Sequence, residues 1–192
     1  MTSQVVVVGS GYAGAGAVKA FEDAVGEGEA ELTWISEHDY HLVLHEVHRA
    51  IRNPAVEEKL MISVDEIMSE ESSFVEGRVV NVDTDERTVE TAAGDAVEYD
   101  YLLLALGSTT AFFGIEGLKQ HAHQLKGIED ARGIHEDIRE AAANATRSDP
   151  ARVVVGGAGL SGIQTAGEVA EYRDKHRAPI QMTLVEGLDE VF

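Results

Sequence analysis

The sequence predicts an α/β protein made of two units that share one plan. In each, a run of valines leads into a glycine-rich turn and then into a segment of helix-forming residues: VVVVGSGYAG near the N-terminus and RVVVGGAGLSG beyond residue 150. Between them, apolar and polar residues alternate with a period of two, which predicts an antiparallel β-meander inserted in the first unit. The predicted fold is therefore two Rossmann-like three-layer units.

Both glycine-rich turns have the spacing GxGxxG. In such a motif the first glycine permits a tight strand-to-helix turn, the second lets the backbone approach a pyrophosphate, and the third lets helix and strand pack closely. Amide N–H groups at the start of the following helix then hold the phosphates. The sequence therefore predicts two dinucleotide sites, at Gly9, Gly11 and Gly14 and at Gly157, Gly159 and Gly162.

The end of the second strand in each unit bears on the choice of ligand, because a carboxylate there hydrogen-bonds ribose hydroxyls. The strand IQMTLVE ends at Glu186. A 2′-phosphate about 4 Å away would meet repulsion of about 4 kcal/mol at an effective dielectric of about 20, so this site is expected to prefer NADH to NADPH. The strand ELTWIS ends at Ser36, with Glu37 next. There the acid is either displaced by one position or replaced by a hydroxyl, and the alternative for Glu37 is a solvated surface acid.

Composition narrows the function further. Acidic residues outnumber basic ones 35 to 15, which gives a formal net charge of −20 and argues against nucleic acid as a partner. Such a surface suits a halophilic protein in a high-salt cytoplasm, and an ordinary acidic protein is the alternative. The chain has no cysteine, which excludes disulfides, thiolate ligands and a redox-active dithiol within it. Its chemistry is expected to come from a bound cofactor.

In the first unit we expect strands over residues 4–9 and 31–36 and a helix over 12–24. From Phe74, the segments FVEGRVVNVD, TVETA and AVEYD are separated by the turns TDER and AGD, which predicts a three-stranded meander. YLLLALG, residues 101–107, is apolar throughout and predicts a central parallel strand.

Three histidines, His41, His45 and His48, follow at spacings of four and three, which would place them on one helix face. HEVH is not HExxH, so a helix lining a cofactor pocket fits this segment better than a metal site. Ser63 and Glu66 form a capping-box pattern before a short helix. Further along, the periodicity predicts a helix over 128–145, which SDP ends before the second unit.

With these segments in order, the chain resembles the two-dinucleotide flavoprotein reductases. Among them it looks most like the type II NADH dehydrogenases, the single-subunit NADH:quinone oxidoreductases of the FAD-dependent pyridine nucleotide–disulfide oxidoreductase superfamily. The resemblance rests on VVVVGSGYAG, DYHLVLHEV, YDYLLLALGSTTAFFGIEGL and VVVGGAGLSGIQTAGEVAE, and it runs from end to end. YDYLLLALGS is similar to the family's second FAD-contacting motif, which usually has ATG where this chain has Ala105, Leu106 and Gly107.

The absence of cysteine distinguishes this chain from two related groups of flavoproteins. Disulfide reductases carry CxxxxC after the first unit, and sulfide:quinone oxidoreductases carry cysteines beside the flavin, whereas this chain has neither. The resemblance thus implies hydride transfer from NADH to FAD without a thiol, and then electron transfer to a membrane quinone. It implies an FAD-binding domain over residues 1–113 and an NAD(P)H-binding domain, truncated, over 114–192.

The resemblance also implies roles for individual residues. The NADH site would contain Gly157, Gly159, Gly162 and Glu186. Gln164 stands where the family usually has a glutamate near the flavin and nicotinamide; an amide can orient a ligand but cannot deliver or accept a proton, and the alternative is a helix residue facing the sheet. The FAD site would be formed by Gly9, Gly11, Tyr12, Ala13, Gly14, Ser36, Glu37, Val79, Ala105 and Gly107.

Family members continue through the rest of the NAD sheet to a second phosphate-contacting motif and a membrane-associating segment. We therefore expect the N-terminal part of a longer enzyme, which by itself binds FAD weakly or not at all, with apolar sheet edges that favour dimerisation. There is no signal peptide and no long apolar run, so the full-length protein is expected in the cytoplasm, peripheral on the inner face of the cell membrane. The alternatives are a soluble NADH-dependent ferredoxin or rubredoxin reductase and a non-catalytic dinucleotide-sensing module.

Overall fold

A computed structural model describes residues 2–26 and 28–189. The chain divides into two compact units, each made of two segments. The first unit comprises Met1–Leu42 and Met61–Ser108, and the second comprises Val43–Leu60 and Thr109–Phe192. Each unit contains one of the two glycine-rich turns.

The first unit is built on a four-stranded parallel sheet. Its strands are β1 (Ser3–Val8), β2 (Ala30–Ser36), β5 (Ser73–Glu76) and β9 (Tyr101–Leu104), in the order β5-β2-β1-β9. Helix α1 (Tyr12–Ala24) follows the first glycine-rich turn directly, as GxGxxG predicts.

Alternation along β1 gives the first unit its three layers. Because successive side chains point to opposite faces, Val7 packs with Val18 of α1 and with Trp34 on one side of the sheet. Val6 and Val8 face the other side, where they meet Val89 of the meander. The expected helix, sheet and meander layers are thus present.

The meander consists of β6 (Val79–Asp83), β7 (Thr88–Thr91) and β8 (Ala96–Glu98), which confirms the predicted three strands. The prediction that FVEGRVVNVD forms one of them is wrong in part, because its first residues belong to β5 of the parallel sheet. The chain changes sheets at Gly77, whose N–H donates to the Ser36 carbonyl at 2.7 Å. A Cβ at Gly77 would lie 3.0 Å from the Thr91 Cγ2, so a larger residue at the crossing would require the Thr91 side chain to shift.

The apolar run over 101–107 does not form a central strand in the described residues. Only Tyr101–Leu104 is strand, and β9 pairs with β1 alone among the described strands. Tyr101 is 65% exposed and Leu104 52% exposed. The predicted parallel strand is therefore present, but its predicted central position and its extent to residue 107 are wrong, because an apolar run indicates burial but does not identify the element that covers it.

The segment with three histidines is not one helix. His41 lies in β3 (Tyr40–Leu42), which pairs antiparallel with β4 (Met61–Ser63). His45 lies in the 3₁₀ turn Leu44–Glu46, and His48 precedes the next helix. The predicted common helix face is therefore wrong, because ladder pairing of His41 with Ile62 starts the segment as a strand.

The expected cap at Ser63 is present on a shorter element than predicted. Its Oγ accepts a hydrogen bond from the Asp65 N–H at 3.3 Å, at the start of the 3₁₀ turn Val64–Glu66. The cap therefore orders a single turn, where the pattern had predicted a short α-helix.

The second unit contains a pair of parallel strands, β10 and β11, and two long helices, α5 and α6. Helix α5 confirms the helix predicted over 128–145. The elements of the unit are α2 (Arg49–Arg52), α3 (Glu57–Leu60), α4 (Leu118–His121), α5 (Ile128–Asn144), β10 (Ala151–Gly156), α6 (Leu160–His176) and β11 (Ile180–Val185).

The short helix α2 is hydrogen-bonded to both long helices of its unit. Arg52 Nε donates to Glu168 of α6 at 2.5 Å, and His135 of α5 donates from Nδ1 to the Ile51 carbonyl at 2.8 Å. Two hydrogen bonds and the burial of Ile51 thus hold residues 43–60 in this unit. In the described part of the chain, no helix combines the length and apolar character needed to cross a bilayer.

Candidate functional site

The two glycine-rich turns have the same backbone geometry. Gly9 and Gly157 take positive φ angles of +105° and +92°, a region that only glycine enters freely. Their N–H groups donate at 2.7 Å to the carbonyls of Ile35 and Val185, which lie near the ends of the two second strands. The predicted turns are therefore formed at both positions.

The third glycine of each motif is required for folding. A Cβ at Gly14 would lie 1.8 Å from the Gly9 oxygen, and one at Gly162 would lie 1.8 Å from the Gly157 oxygen. No side chain fits at such distances, so helix and strand can pack this closely only at glycine.

The second glycine of each motif faces open space. A Cβ at Gly11 or at Gly159 would meet no described atom within 4 Å, and the φ angles of −71° and −68° suit any residue. Neither position therefore needs glycine for the fold. Glycine there fits the predicted pyrophosphate, which must come close to the backbone, and this role stays a prediction.

The helix that begins at each turn is open to an anion at its first turn. Gly11 and Gly159 are the N-caps of α1 and α6, and in these fully described helices neither cap bears a side chain and neither first turn has an acidic residue. The first N–H groups of a helix lack intrahelical partners, and the macrodipole favours negative charge there. Both turns can therefore hold phosphate.

Glu186 lies where the sequence predicts a ribose-binding acid. One carboxylate oxygen, Oε2, accepts from the Ala158 N–H in the glycine turn at 2.6 Å. The other, Oε1, accepts from the N–H groups of Gly187 at 2.6 Å and Leu188 at 3.0 Å. Hydrogen bonds from Ala158, then Leu188 and Gly187, lower the pKa of the Glu186 carboxyl below its ordinary value. The carboxylate is thus held ionised beside the second turn.

Ser36 occupies the same position in the first unit. It follows Ile35, the acceptor of the Gly9 N–H, as Glu186 follows Val185. Ser36 is 7% exposed, and its hydroxyl donates to the Ser10 Oγ at 2.8 Å. The hydroxyl alternative therefore describes this register position, whereas Glu37, the next residue, is exposed.

Three other predicted residues, Ala105, Gly107 and Val79, lie in the first unit. The Ala105 N–H donates to the Val8 carbonyl at 2.8 Å, and the Ala105 oxygen would lie 2.4 Å from a Cβ at Gly9. Gly107 has a φ of +70°. Val79, on β6, packs against the core cluster that contains Val8.

Three more predicted residues lie at the starts of the two helices. Tyr12 and Ala13 are exposed in the first turn of α1, and Gln164 is half-buried in the second turn of α6. Their roles toward a ligand stay predictions.

Two residues lie beside the first turn where no sequence pattern had placed them: Trp34 was not singled out, and His41 was predicted on a helix. Trp34 is fully buried and its Nε1 donates to the Gly9 carbonyl at 2.9 Å. His41 is 6% exposed and its Nδ1 lies 2.8 Å from the Ser10 carbonyl. The apolar alternation of β2 places Trp34 in the core, but nothing in the sequence pairs either ring with the turn. Within the described residues, no group of three or more histidine, aspartate and glutamate side chains could hold a metal ion.

Two strand–turn–helix units with matching glycine geometry define a two-dinucleotide α/β protein. The chain belongs to the pyridine nucleotide-disulphide oxidoreductase family, whose sequence profile matches residues 3–192. The resemblance stated from the sequence is thus confirmed.

A similar curated protein is the type II NADH:quinone oxidoreductase of Staphylococcus aureus, which is 33% identical over 174 residues. That match covers 88% of this chain but 43% of the relative, so the chain spans less than half the length of the curated relatives it matches.

Solved structures show the same fold. NDH2 from Plasmodium falciparum in complex with NADH superposes with a TM-score of 0.84 at 19% identity, covering 100% of this chain and 43% of that one. The sulfide:quinone oxidoreductase of Aquifex aeolicus gives a TM-score of 0.77 at 23% identity, covering 96% and 43%. At these identities the likeness concerns the fold, and it agrees with the two Rossmann-like units predicted.

Proposed function

We propose that this chain forms the FAD-binding and NADH-binding parts of an NADH:quinone oxidoreductase. The observation that carries the proposal is the pair of turns with equal geometry in a chain whose 33% identical relative is a type II NADH:quinone oxidoreductase. The first turn, in the domain predicted over 1–113, would hold FAD. The second, in the domain predicted over 114–192, would hold NADH.

The residues present fit dinucleotides at both turns. Each turn leaves open the space that a side chain at its second glycine would fill, and each begins a helix whose first N–H groups lack intrahelical partners. These are the features that a pyrophosphate needs. When bound, FAD supplies the redox chemistry, because it accepts a hydride from NADH and releases electrons to a quinone.

The chain's own residues would bind the two dinucleotides and orient them. Amides at Gly11 and Gly159 would hold the two pyrophosphates, and the ionised Glu186 would accept from the ribose hydroxyls of NADH. The same carboxylate would repel the 2′-phosphate of NADPH. Gln164, being neutral, would orient a ligand without moving a proton.

A quinone acceptor would bring the protein to a membrane surface. We extend the proposal to a cytoplasmic protein that is peripheral on the inner face of the cell membrane. Pairing between copies is also proposed, supported by the exposed apolar side chains of β9, including Tyr101 at 65% and Leu104 at 52% exposure.

Anaerobic spectroscopy tests the function. FAD is added in excess to the purified chain in molar potassium chloride, and the visible flavin band is followed while NADH and then a soluble quinone are added. The proposal predicts bleaching by NADH faster than for free FAD, and recovery of the band with quinone. Bleaching no faster than in protein-free buffer would contradict it, and recovery only with an oxidised ferredoxin would favour the reductase alternative.

A further inference from the structure

The carbonyl groups of the first turn are held by side chains that the proposed chemistry does not use. Trp34 Nε1 donates to the Gly9 carbonyl at 2.9 Å, and His41 Nδ1 donates to the Ser10 carbonyl at 2.8 Å. Since a carbonyl only accepts, His41 must carry its proton on Nδ1. Both rings are buried, at 0% and 6% exposure.

Two hydrogen bonds, one with a hydroxyl and one with a carbonyl, fix the Ser10 side chain of the same turn. Ser36 Oγ donates to Ser10 Oγ at 2.8 Å, and Ser10 Oγ donates to the Tyr40 carbonyl at 2.8 Å. The His41 ring also meets Tyr12, the first residue of α1, edge-on with centroids 4.7 Å apart. Strands β2 and β3 therefore fix both the backbone and the side chain at Ser10.

The second turn is held differently. By strand register, Leu184 stands where Trp34 stands in the first unit, and Ala158 replaces Ser10 without a hydroxyl. The side chain that reaches this turn is Glu186, whose Oε2 accepts from Ala158 at 2.6 Å. A Cβ at Gly157 would meet no described atom within 4 Å, whereas the first turn is walled by Ala105.

We infer that Trp34, Ser36 and His41 are positioning residues that keep the first turn in its anion-binding shape before any ligand arrives. The second turn is held instead by Glu186, the side chain that a ribose would engage, so it rearranges when ligand binds. Preorganisation removes the ordering cost at the first site only. For the identity of the ligands, this inference rests on the proposed function. The arrangement suits an FAD that stays bound and an NADH that exchanges.

Hydrogen exchange without cofactor tests the inference in one molecule. The N–H groups of Gly9 and Gly157 make matched 2.7 Å bonds to the second strands, so each protection factor reports its own turn. We expect Gly9 to be protected about tenfold more than Gly157, since each additional hydrogen bond is worth a factor of about two to ten. The indole N–H of Trp34, the only tryptophan of the chain, reports the bond to Gly9 directly.

Variants separate positioning from general stability. His41→Phe keeps a ring but removes the donor, and it should speed exchange at Gly9 about fivefold while Gly157 is unchanged. His41→Asn keeps a donor near the place of Nδ1 and should restore most of the protection. The matched control is His121→Phe, at an exposed position at the end of α4, which should change neither turn.

Equal protection of Gly9 and Gly157, or unchanged Gly9 exchange in a folded His41→Phe variant, would overturn the inference. If His41→Phe fails to fold, Ser36→Ala decides, because it removes only a hydroxyl. Faster exchange at Gly9 alone supports the inference, and equal acceleration at both glycines refutes it. Because no cofactor is present, these outcomes are independent of nucleotide binding, and a failure of NADH to bleach added FAD would instead count against the proposed function.

Discussion

Ser36 and Glu186 occupy the same place in two copies of one structural unit, and each bonds the middle residue of its glycine turn. Ser36 donates its hydroxyl to Ser10 at 2.8 Å, whereas Glu186 accepts the Ala158 N–H at 2.6 Å. The first unit therefore supports its turn with a neutral donor, and the second with a charge. We therefore expect selection by ligand charge in the second unit only.

Removing the Glu186 carboxylate should relax the choice between NADH and NADPH. In the wild-type chain the 2′-phosphate would meet repulsion from the ionised Glu186 carboxylate, reduced by salt. We expect NADPH to bind at least about tenfold more weakly than NADH, and Glu186→Gln to reduce that ratio to about twofold. Fluorescence titration with each nucleotide measures it. A ratio that Glu186→Gln leaves unchanged would show that another residue makes the selection, and Glu37→Gln serves as the matched control.

Acid should release Glu186 from the second turn at an unusually low pH. Hydrogen bonds from Ala158, Leu188 and Gly187 lower the pKa of this carboxyl from its ordinary 4.5. A depressed folded pKa means that the stabilisation is complete above about pH 4.5 and is lost as the pH falls through the lower folded value. The amide resonances of those three residues should therefore titrate with a midpoint below 4.5. A midpoint at or above that value would contradict the bonding described here.

The second and third glycines should respond oppositely to alanine. Gly14→Ala places a methyl 1.8 Å from the Gly9 oxygen, so the free energy of unfolding should fall by about 2 kcal/mol or more. Gly11→Ala meets no described atom within 4 Å and should leave that free energy unchanged within about 0.5 kcal/mol. Denaturant titration of both variants measures the difference. Equal destabilisation would show that the open space at Gly11 is needed for the fold.

The ion pair between Arg52 and Glu168 should matter more than a neighbouring surface pair. Arg52 is 27% exposed and Glu168 12% exposed, so Arg52→Ala leaves a mostly buried carboxylate unpaired and should cost about 1 to 2 kcal/mol. Arg173 and Asp174 form an exposed pair, at 37% and 70%, and Arg173→Ala is the matched control with no measurable change expected. Thermal unfolding of the two variants compares them, and equal shifts would contradict this assignment.

Local patterns predicted the repeated parts of the fold. The helix expected over 12–24 is observed as Tyr12–Ala24. The glycine turn fixes its first residue, and the helix-forming residues that follow continue it. The glycine conformations were also predictable, since GxGxxG restricts backbone within six residues.

Elements defined by distant partners could not be predicted. The period of two runs unbroken through Gly77, so it could not show that β5 joins one sheet and β6 another. Trp34 and His41 reach the first turn from 25 and 31 residues away, and no local pattern encodes such contacts. His41 was therefore placed on a helix, although its ladder partner Ile62 makes it a strand residue.

The central claim, that each turn binds its own dinucleotide, is tested most directly by equilibrium titration of FAD and NADH into three chains. These are the wild-type chain, Gly11→Ala and Gly159→Ala, with quenching of Trp34 followed for FAD and nucleotide fluorescence for NADH. We predict saturable binding of both ligands to the wild-type chain, with FAD bound weakly. FAD affinity should fall at least about tenfold in Gly11→Ala alone, and NADH affinity likewise in Gly159→Ala alone. The same affinities in all three folded chains would contradict the claim.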